Sequence, residues 1–186
     1  MDFVQVKIVS NFQLIFSIIG AFLCLLSYII RLYIHVYEYK KQAELPKKLF
    51  PVSFIIVFFG YLGWGFWSGY DPLKMNISSA VALPVGITVT VIGFGLFMYA
   101  EIKKQQTGST TGSLITTGIY SKLRHPMYLG IILFHFGYPF TVKGFSAFVS
   151  TFIWIVFILV WKQYEEKNLE RKYGERYREY KKKTWF

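Results

Sequence analysis

Five stretches of this chain carry no Asp, Glu, Lys or Arg: residues 8–30, 50–70, 75–100, 127–142 and 144–161. Inside lipid the backbone has no water to satisfy its amides, so runs of this kind must fold as helices or close into barrels. The first three are long enough to cross a hydrocarbon core of roughly 30 Å as helices. The last two are shorter and need tilt, a thinned bilayer or support from neighbours. They read as a pair of helices turning around residues 140–144. The pattern predicts an all-α integral membrane protein of about five transmembrane helices, the last two a helical hairpin, followed by an amphipathic C-terminal helical extension.

The formal net charge is +11, which on a soluble chain would suggest nucleic acid. Placement argues otherwise. Lys40, Lys41, Lys47 and Lys48 fill the first connection, Lys103, Lys104, Lys122 and Arg124 the third, and nine more Lys and Arg lie beyond residue 161. On a five-span chain these segments share one side; the opposite side has only Lys7, Lys74 and Lys143. The positive-inside rule then predicts the N-terminus outside and the C-terminus in the cytosol. The basicity is a topology signal, and no nucleic-acid or protein partner is implied.

Cys24 is the only cysteine and sits in the middle of the first run, so no disulfide framework exists. That run is too long for a signal-peptide core and reads as a retained helix from about Asn11 to Tyr39. Arg31 and His35 near its end read as interfacial residues, the arginine snorkelling. Gly65 and Gly69 have the small-xxx-small spacing of close helix contacts, and Asp71-Pro72 signals a turn on the outside. Gly93-Phe94-Gly95 begins like a dinucleotide fingerprint, but it lies within an apolar run, follows no strand and has Met98 where a third glycine belongs.

Residues 107–117 are rich in Gly, Ser and Thr and must lie outside lipid. They read either as a linker or as a loop whose backbone groups hold a polar ligand. Beyond Lys162 the last helix continues as an amphipathic segment, with Leu169, Tyr173, Tyr177 and Tyr180 on one face. Aromatics among basic residues at a bilayer surface read as anchors.

Tyr120-x-x-x-Arg124-His125-Pro126-x-Tyr128-x-Gly130 joins the polar loop to the fourth helix. Pro fixes the helix start, and an Arg-His pair at such an end suits an anion. Glu165-Glu166 follow an uncharged run, where carboxylates must be solvated or partnered. These residues, with Leu114–Tyr120 preceding them and Tyr173-Gly174-Glu175-Arg176-Tyr177-Arg178-Glu179-Tyr180 following, resemble the isoprenylcysteine carboxyl methyltransferase family and the related membrane phospholipid methyltransferases. The resemblance covers roughly the last eighty residues.

The resemblance implies an S-adenosylmethionine-dependent methyltransferase with no soluble nucleotide-binding domain and no metal. Residues 1–100 would form a three-helix scaffold facing the lipophilic substrate, and 101–186 the cofactor-binding catalytic region. Cofactor contacts carry over onto Gln105, Gly112, Ser113, Leu114, Ile115, Tyr120, His125, Pro126, Met127, Tyr128 and Glu165; Lys162 and Glu166 are the catalytic candidates. The acceptor would be a lipophilic or lipidated molecule such as a prenylcysteine-like carboxylate, reached from the bilayer. One departure bears on it: where the animal prenylcysteine enzymes have an arginine, four residues before the matching glutamate, this chain has Trp161, and no bidentate guanidinium is available. A phospholipid amine N-methyltransferase, an NADPH-dependent sterol-type reductase and a non-catalytic membrane protein stand as alternatives.

Overall fold

The computed structural model describes residues 4–7, 10–42, 46, 49–106 and 114–186. In chain order the elements are strand β1 (Val4–Val6), helix α1 (Asn11–Lys41), α2 (Phe50–Tyr70), strand β2 (Leu73–Met75), α3 (Ser79–Gln106), a 3-10 turn (Gly118–Ser121), α4 (Pro126–Thr141), α5 (Phe145–Tyr173) and α6 (Glu175–Lys183). Among the described residues α1, α3 and α5 are long and apolar enough to cross a membrane. The helices fall where the uncharged runs predict them, because an apolar run in lipid has no other way to satisfy its backbone. The ribbon pairing β1 antiparallel to β2, with Gln5 opposite Lys74, is a departure from all-α. Three-residue strands are too short for their alternation to show in a sequence.

α1 starts at a capping box: the Ser10 hydroxyl accepts from the Gln13 amide, and the Gln13 side chain accepts from the Ser10 amide. This satisfies two of the donors that a helix start leaves open. Large apolar side chains of α1, α3 and α5 point outward, including Phe12, Phe22, Val91, Phe94, Phe152 and Val156. Such an apolar exterior belongs against lipid tails, and the chain is an integral membrane protein.

The helices approach through glycines, though not those the spacing singled out. A Cβ on Gly63 would stand 2.6 Å from the Gly20 carbonyl oxygen, and one on Gly130 would stand 2.7 Å from that of Gly93. Gly65 and Gly69 have nothing within 4 Å. The small-xxx-small pattern places both on one face of α2, but that face is open; Gly60 and Gly63 meet α1 instead. Gly93 of the rejected fingerprint is a packing glycine against α4.

The core is aromatic, with Tyr28, Trp64, Tyr128, Trp154 and Trp161 around Cys24, Ala147 and Ile158. His135 is buried among them; its Nδ1 lies 2.9 Å from the Ile131 carbonyl and its Nε2 2.8 Å from the Tyr28 hydroxyl. A neutral ring donating from Nδ1 and accepting at Nε2 satisfies both contacts. At the end bearing β2, Asp71 is fully buried; Oδ2 accepts from Ser146 Oγ at 2.8 Å and from the Ala147 amide at 3.0 Å. The predicted turn aspartate therefore also holds the positive N-terminus of α5. Lys74 Nζ caps the end of α2 at Gly69 O (3.1 Å) and reaches Val142 O beyond α4 (3.3 Å). Burial lowers its pKa.

Candidate functional site

The other end of the bundle carries the motif residues. The 3-10 turn opens on Gly118 at φ +63°, where a side chain would be strained. It places Tyr120 inward, donating to the Ala100 carbonyl at the end of α3 over 3.3 Å. Tyr180 of α6 donates to the Tyr120 carbonyl at 2.6 Å. Burial raises both phenols, Tyr180 to about 12, so they remain neutral donors across the physiological range. The Leu169–Tyr180 face is not a bilayer anchor. Tyr177 and Tyr180 are buried with Leu114, and Leu169 and Tyr173 pack on them. The amphipathic period was legible, but its partner is the chain leading to the motif.

Residues 122–125 are held by the C-terminal segment. Leu123 bridges Trp185 in parallel, the Arg124 amide donates to Trp185 O at 3.1 Å, and the His125 amide donates to Phe186 O at 3.1 Å. Arg124 Nη1 also donates to the carbonyls of Lys181 and Thr184. Pro126 begins α4 at its first turn, where its fixed φ suits a helix start and its missing N–H costs nothing. His125 is thereby set at the helix entrance with its side chain free to turn toward α5.

Two adjacent carboxylates of α5 meet this segment in different ways. Glu166 is nearly buried and forms a charge node. Its Oε1 lies 3.1 Å from Arg124 Nε, 3.3 Å from His125 Nε2 and 3.4 Å from Lys162 Nζ; Oε2 lies 2.7 Å from Lys181 Nζ. Glu165 keeps 39% of its side chain exposed, accepts from the Tyr128 hydroxyl at 2.6 Å and stands 3.8 Å from His125 Nδ1. The His125 and Tyr128 rings stack at 5.4 Å and 11°. A carboxylate beside two parallel aromatic faces can accept from hydroxyl or ammonium groups while the ring faces meet a soft cation.

Of the residues singled out from sequence, His125, Tyr128, Glu165, Glu166 and Lys162 converge on this site, with Pro126 setting the geometry. Tyr120 and Leu114 form the layer beneath it. Met127 and Ile115 are half-buried. Gln105 is exposed at the end of α3, donating to Glu101 at 3.1 Å. Gly112 and Ser113 lie outside the described residues, as does most of the polar loop. Sequence reasoning missed Lys181, Thr184 and the 185–186 backbone, because a lysine run beside a chain end looks like any solvated tail. It also took His35 for an interfacial residue, whereas the structure buries it against Trp161, ring centroids 6.1 Å apart.

A family model described as phospholipid methyltransferase matches residues 79–176, from the start of α3 into α6. The chain belongs to the phospholipid methyltransferase family. The two sequence blocks resembling the membrane methyltransferases are thus borne out at family level, and the family match also takes in α3. Methanethiol S-methyltransferase of Pseudomonas deceptionensis is 29% identical over 131 residues, covering 62% of this chain and 49% of that protein. The chain spans about half the length of that relative. No solved structure matches. Within the family segment lie both sides of the Tyr128–Glu165 contact and the Arg124–Glu166 pair, while the strap from Lys181 to Phe186 lies beyond it.

Proposed function

We propose that this protein is a membrane-embedded methyltransferase that uses S-adenosylmethionine to methylate a lipophilic acceptor. Five helices would cross the bilayer, α4 and α5 as a hairpin, with the N-terminus outside and the cofactor site at the cytosolic face. The observation that carries the reading is the meeting of the two family blocks: Tyr128 and His125 of one stand at 2.6 and 3.8 Å from Glu165 of the other.

The donor set fits the cofactor. Glu165 is partly open and presents a carboxylate to hydroxyl or ammonium groups, the stacked His125–Tyr128 faces suit a sulfonium, and the backbone around Leu114 and Ile115 suits an adenine edge. When bound, S-adenosylmethionine supplies an activated methyl group on a sulfonium. The chain's own contribution is placement and exclusion of water: methyl transfer needs an aligned nucleophile more than a set of acids and bases. In this reading Glu166 and Lys162 are positioning residues. Glu166 is held ionised by its cations, and Lys162 is committed to Glu166 and to the Phe186 ring, 5.2 Å from its centroid. Residues 1–100 would face the acceptor and 101–186 the cofactor.

Trp161 is buried and stacked on Tyr28 at 4.8 Å, so the place of the expected arginine holds no charge. That argues against a carboxylate acceptor and leaves an amine or, as the name of the methanethiol enzyme suggests, a sulfur nucleophile. Calorimetric titration of detergent-solubilised protein with S-adenosylmethionine, and separately with NADPH, tests the proposal. Binding of the first alone is expected. Binding of NADPH alone would favour the reductase, and binding of neither a non-catalytic role.

A further inference from the structure

Two buried nitrogens next to the site lack a hydrogen-bond partner among the described residues: His35 Nε2 of α1 and Trp161 Nε1 of α5. Their rings lie 6.1 Å apart. Both residues are more than nine-tenths buried. Buried polar atoms are seldom left unpaired, and such a pair is a place where a ligand group supplies what the fold omits. Trp161 stands one helical turn before Glu165 on the same face of α5, so the pair lies one turn deeper than the carboxylate proposed to hold the cofactor. A lipid-side acceptor needs that depth.

The helices fix this arrangement from above and below. Tyr39 and Tyr164 approach to 5.3 Å, with the Arg171 guanidinium 4.8 Å from the Tyr39 ring and donating to the Tyr39 carbonyl. On the deeper side Tyr28 stacks on Trp161 and its hydroxyl meets His135. The His35 ring is therefore held between two α1–α5 contacts. Its Nδ1 lies 4.0 Å from Glu38 Oε2, beyond hydrogen-bond range; in the neutral tautomer with the proton on Nδ1, Nε2 is an acceptor. The other charged groups facing the ring are Arg31 of α1, Lys104 of α3 and Glu165 of α5.

We propose that His35 Nε2 and Trp161 Nε1–H form the acceptor subsite, that His35 is the general base, and that the acceptor is a thiol. This rests on the methyltransferase reading above. One acceptor atom beside one neutral donor complements a protic nucleophile: the imidazole takes its proton and the indole N–H then faces the anion. A carboxylate has no proton to give, so a base beside a neutral donor has no part in its methylation. Among protic groups, a thiol becomes an anion on giving up its proton, which the indole N–H can face, whereas an alkylammonium becomes a neutral amine with no charge for it to meet. In the reaction the S–H proton moves to Nε2 and a thiolate lone pair forms the new C–S bond. The bond from the methyl carbon to the cofactor sulfur breaks, its electron pair remaining there. The products are a methyl thioether, a neutral cofactor thioether and an imidazolium that releases its proton to water.

The test uses 1-butanethiol, butylamine and butyrate as probes on the full chain in detergent. Wild-type protein should transfer labelled methyl to butanethiol at least tenfold faster than to the other two. Its kcat/KM should fall as pH drops through the imidazole titration, because a protonated Nε2 accepts nothing. His35→Gln should lower kcat/KM at least tenfold and abolish that acid limb. Calorimetric titration with butanethiol in the absence of cofactor should show weaker binding in His35→Gln and Trp161→Phe, while both variants bind S-adenosylmethionine as the wild type does, which also shows that they fold. Butanethiol binding indifferent to both substitutions, or a preference for butyrate or butylamine, would overturn the proposal. Failure of the wild type to bind S-adenosylmethionine would instead contradict the cofactor reading, since the thiol titration is read without it.

Discussion

Arg124, on the approach to α4, places Nε 3.1 Å from Oε1 of Glu166 on α5, where both side chains are about nine-tenths buried. The neighbouring Glu165 is 39% exposed, accepts from the Tyr128 hydroxyl and lies 3.8 Å from His125 Nδ1. Two consecutive carboxylates therefore have separate tasks, one holding the motif together and the other facing outward. Removing one partner of a buried ion pair leaves an uncompensated charge and costs on the order of 3–5 kcal/mol. Arg124→Ala and Glu166→Gln should markedly lower the thermal midpoint followed by tryptophan fluorescence in detergent. Glu165→Gln should change it little. Equal midpoints for all three would mean that Glu166 is not the node described.

The distribution of positive charge sets an expected orientation. With Cys24 replaced by Ala, a cysteine at Asn76 and one at Lys182, introduced separately, should react with an impermeant maleimide from opposite sides of sealed vesicles. The Lys182 position should label only from the cytosolic side. Labelling of both from one face would contradict the five-span topology.

The contact between α3 and α4 depends on two glycines. Gly130→Ala would push a methyl to 2.7 Å from the Gly93 carbonyl oxygen, and overpacking of this kind costs about 1–3 kcal/mol. Gly95→Ala, two residues further on with nothing within 4 Å, should be neutral or slightly stabilising because alanine favours helix. The comparison of unfolding midpoints for these two variants separates close packing from helix propensity.

The prenylcysteine reading has its own test. Lys162 is the cation nearest the missing arginine, but it is held 3.4 Å from Glu166. Transfer of labelled methyl to a small farnesylcysteine analogue should be weak in the wild type, and Lys162→Ala should leave that acceptor preference unchanged. Robust transfer abolished by Lys162→Ala would restore a carboxylate acceptor.

The helices were legible because a long uncharged run in lipid satisfies its backbone as a helix. Pro126 and the turn at Gly144 marked the starts of α4 and α5, while α1, α3 and α5 continue past the first charges after their runs to Lys41, Gln106 and Tyr173. The motif residues were legible as residues of chemistry but not as an arrangement. Nothing in the spacing of Arg124, Glu166 and Lys181 says that they share one point, since contacts between distant elements depend on how the helices rotate. The same reason hid the Tyr28–His135 pair, because a histidine in an apolar span looks alike whether it faces lipid or core. Gly65 and Gly69 misled because a pattern on one helix does not say which face meets a neighbour. Trp161 was marked by what it replaces, while its burial against Tyr28 and His35 needed the fold.

The central claim is that Glu165, Tyr128 and His125 hold S-adenosylmethionine, and calorimetry on purified protein in detergent measures it directly. Loss of one hydrogen bond to a charged partner costs about 1.5–3 kcal/mol, roughly ten- to a hundredfold in affinity. Wild-type protein should bind the cofactor, and Glu165→Gln and His125→Ala should each weaken binding by that factor, with Glu165→Gln unfolding at a temperature close to the wild type. Wild-type affinity retained in both variants would place the cofactor elsewhere and contradict the account.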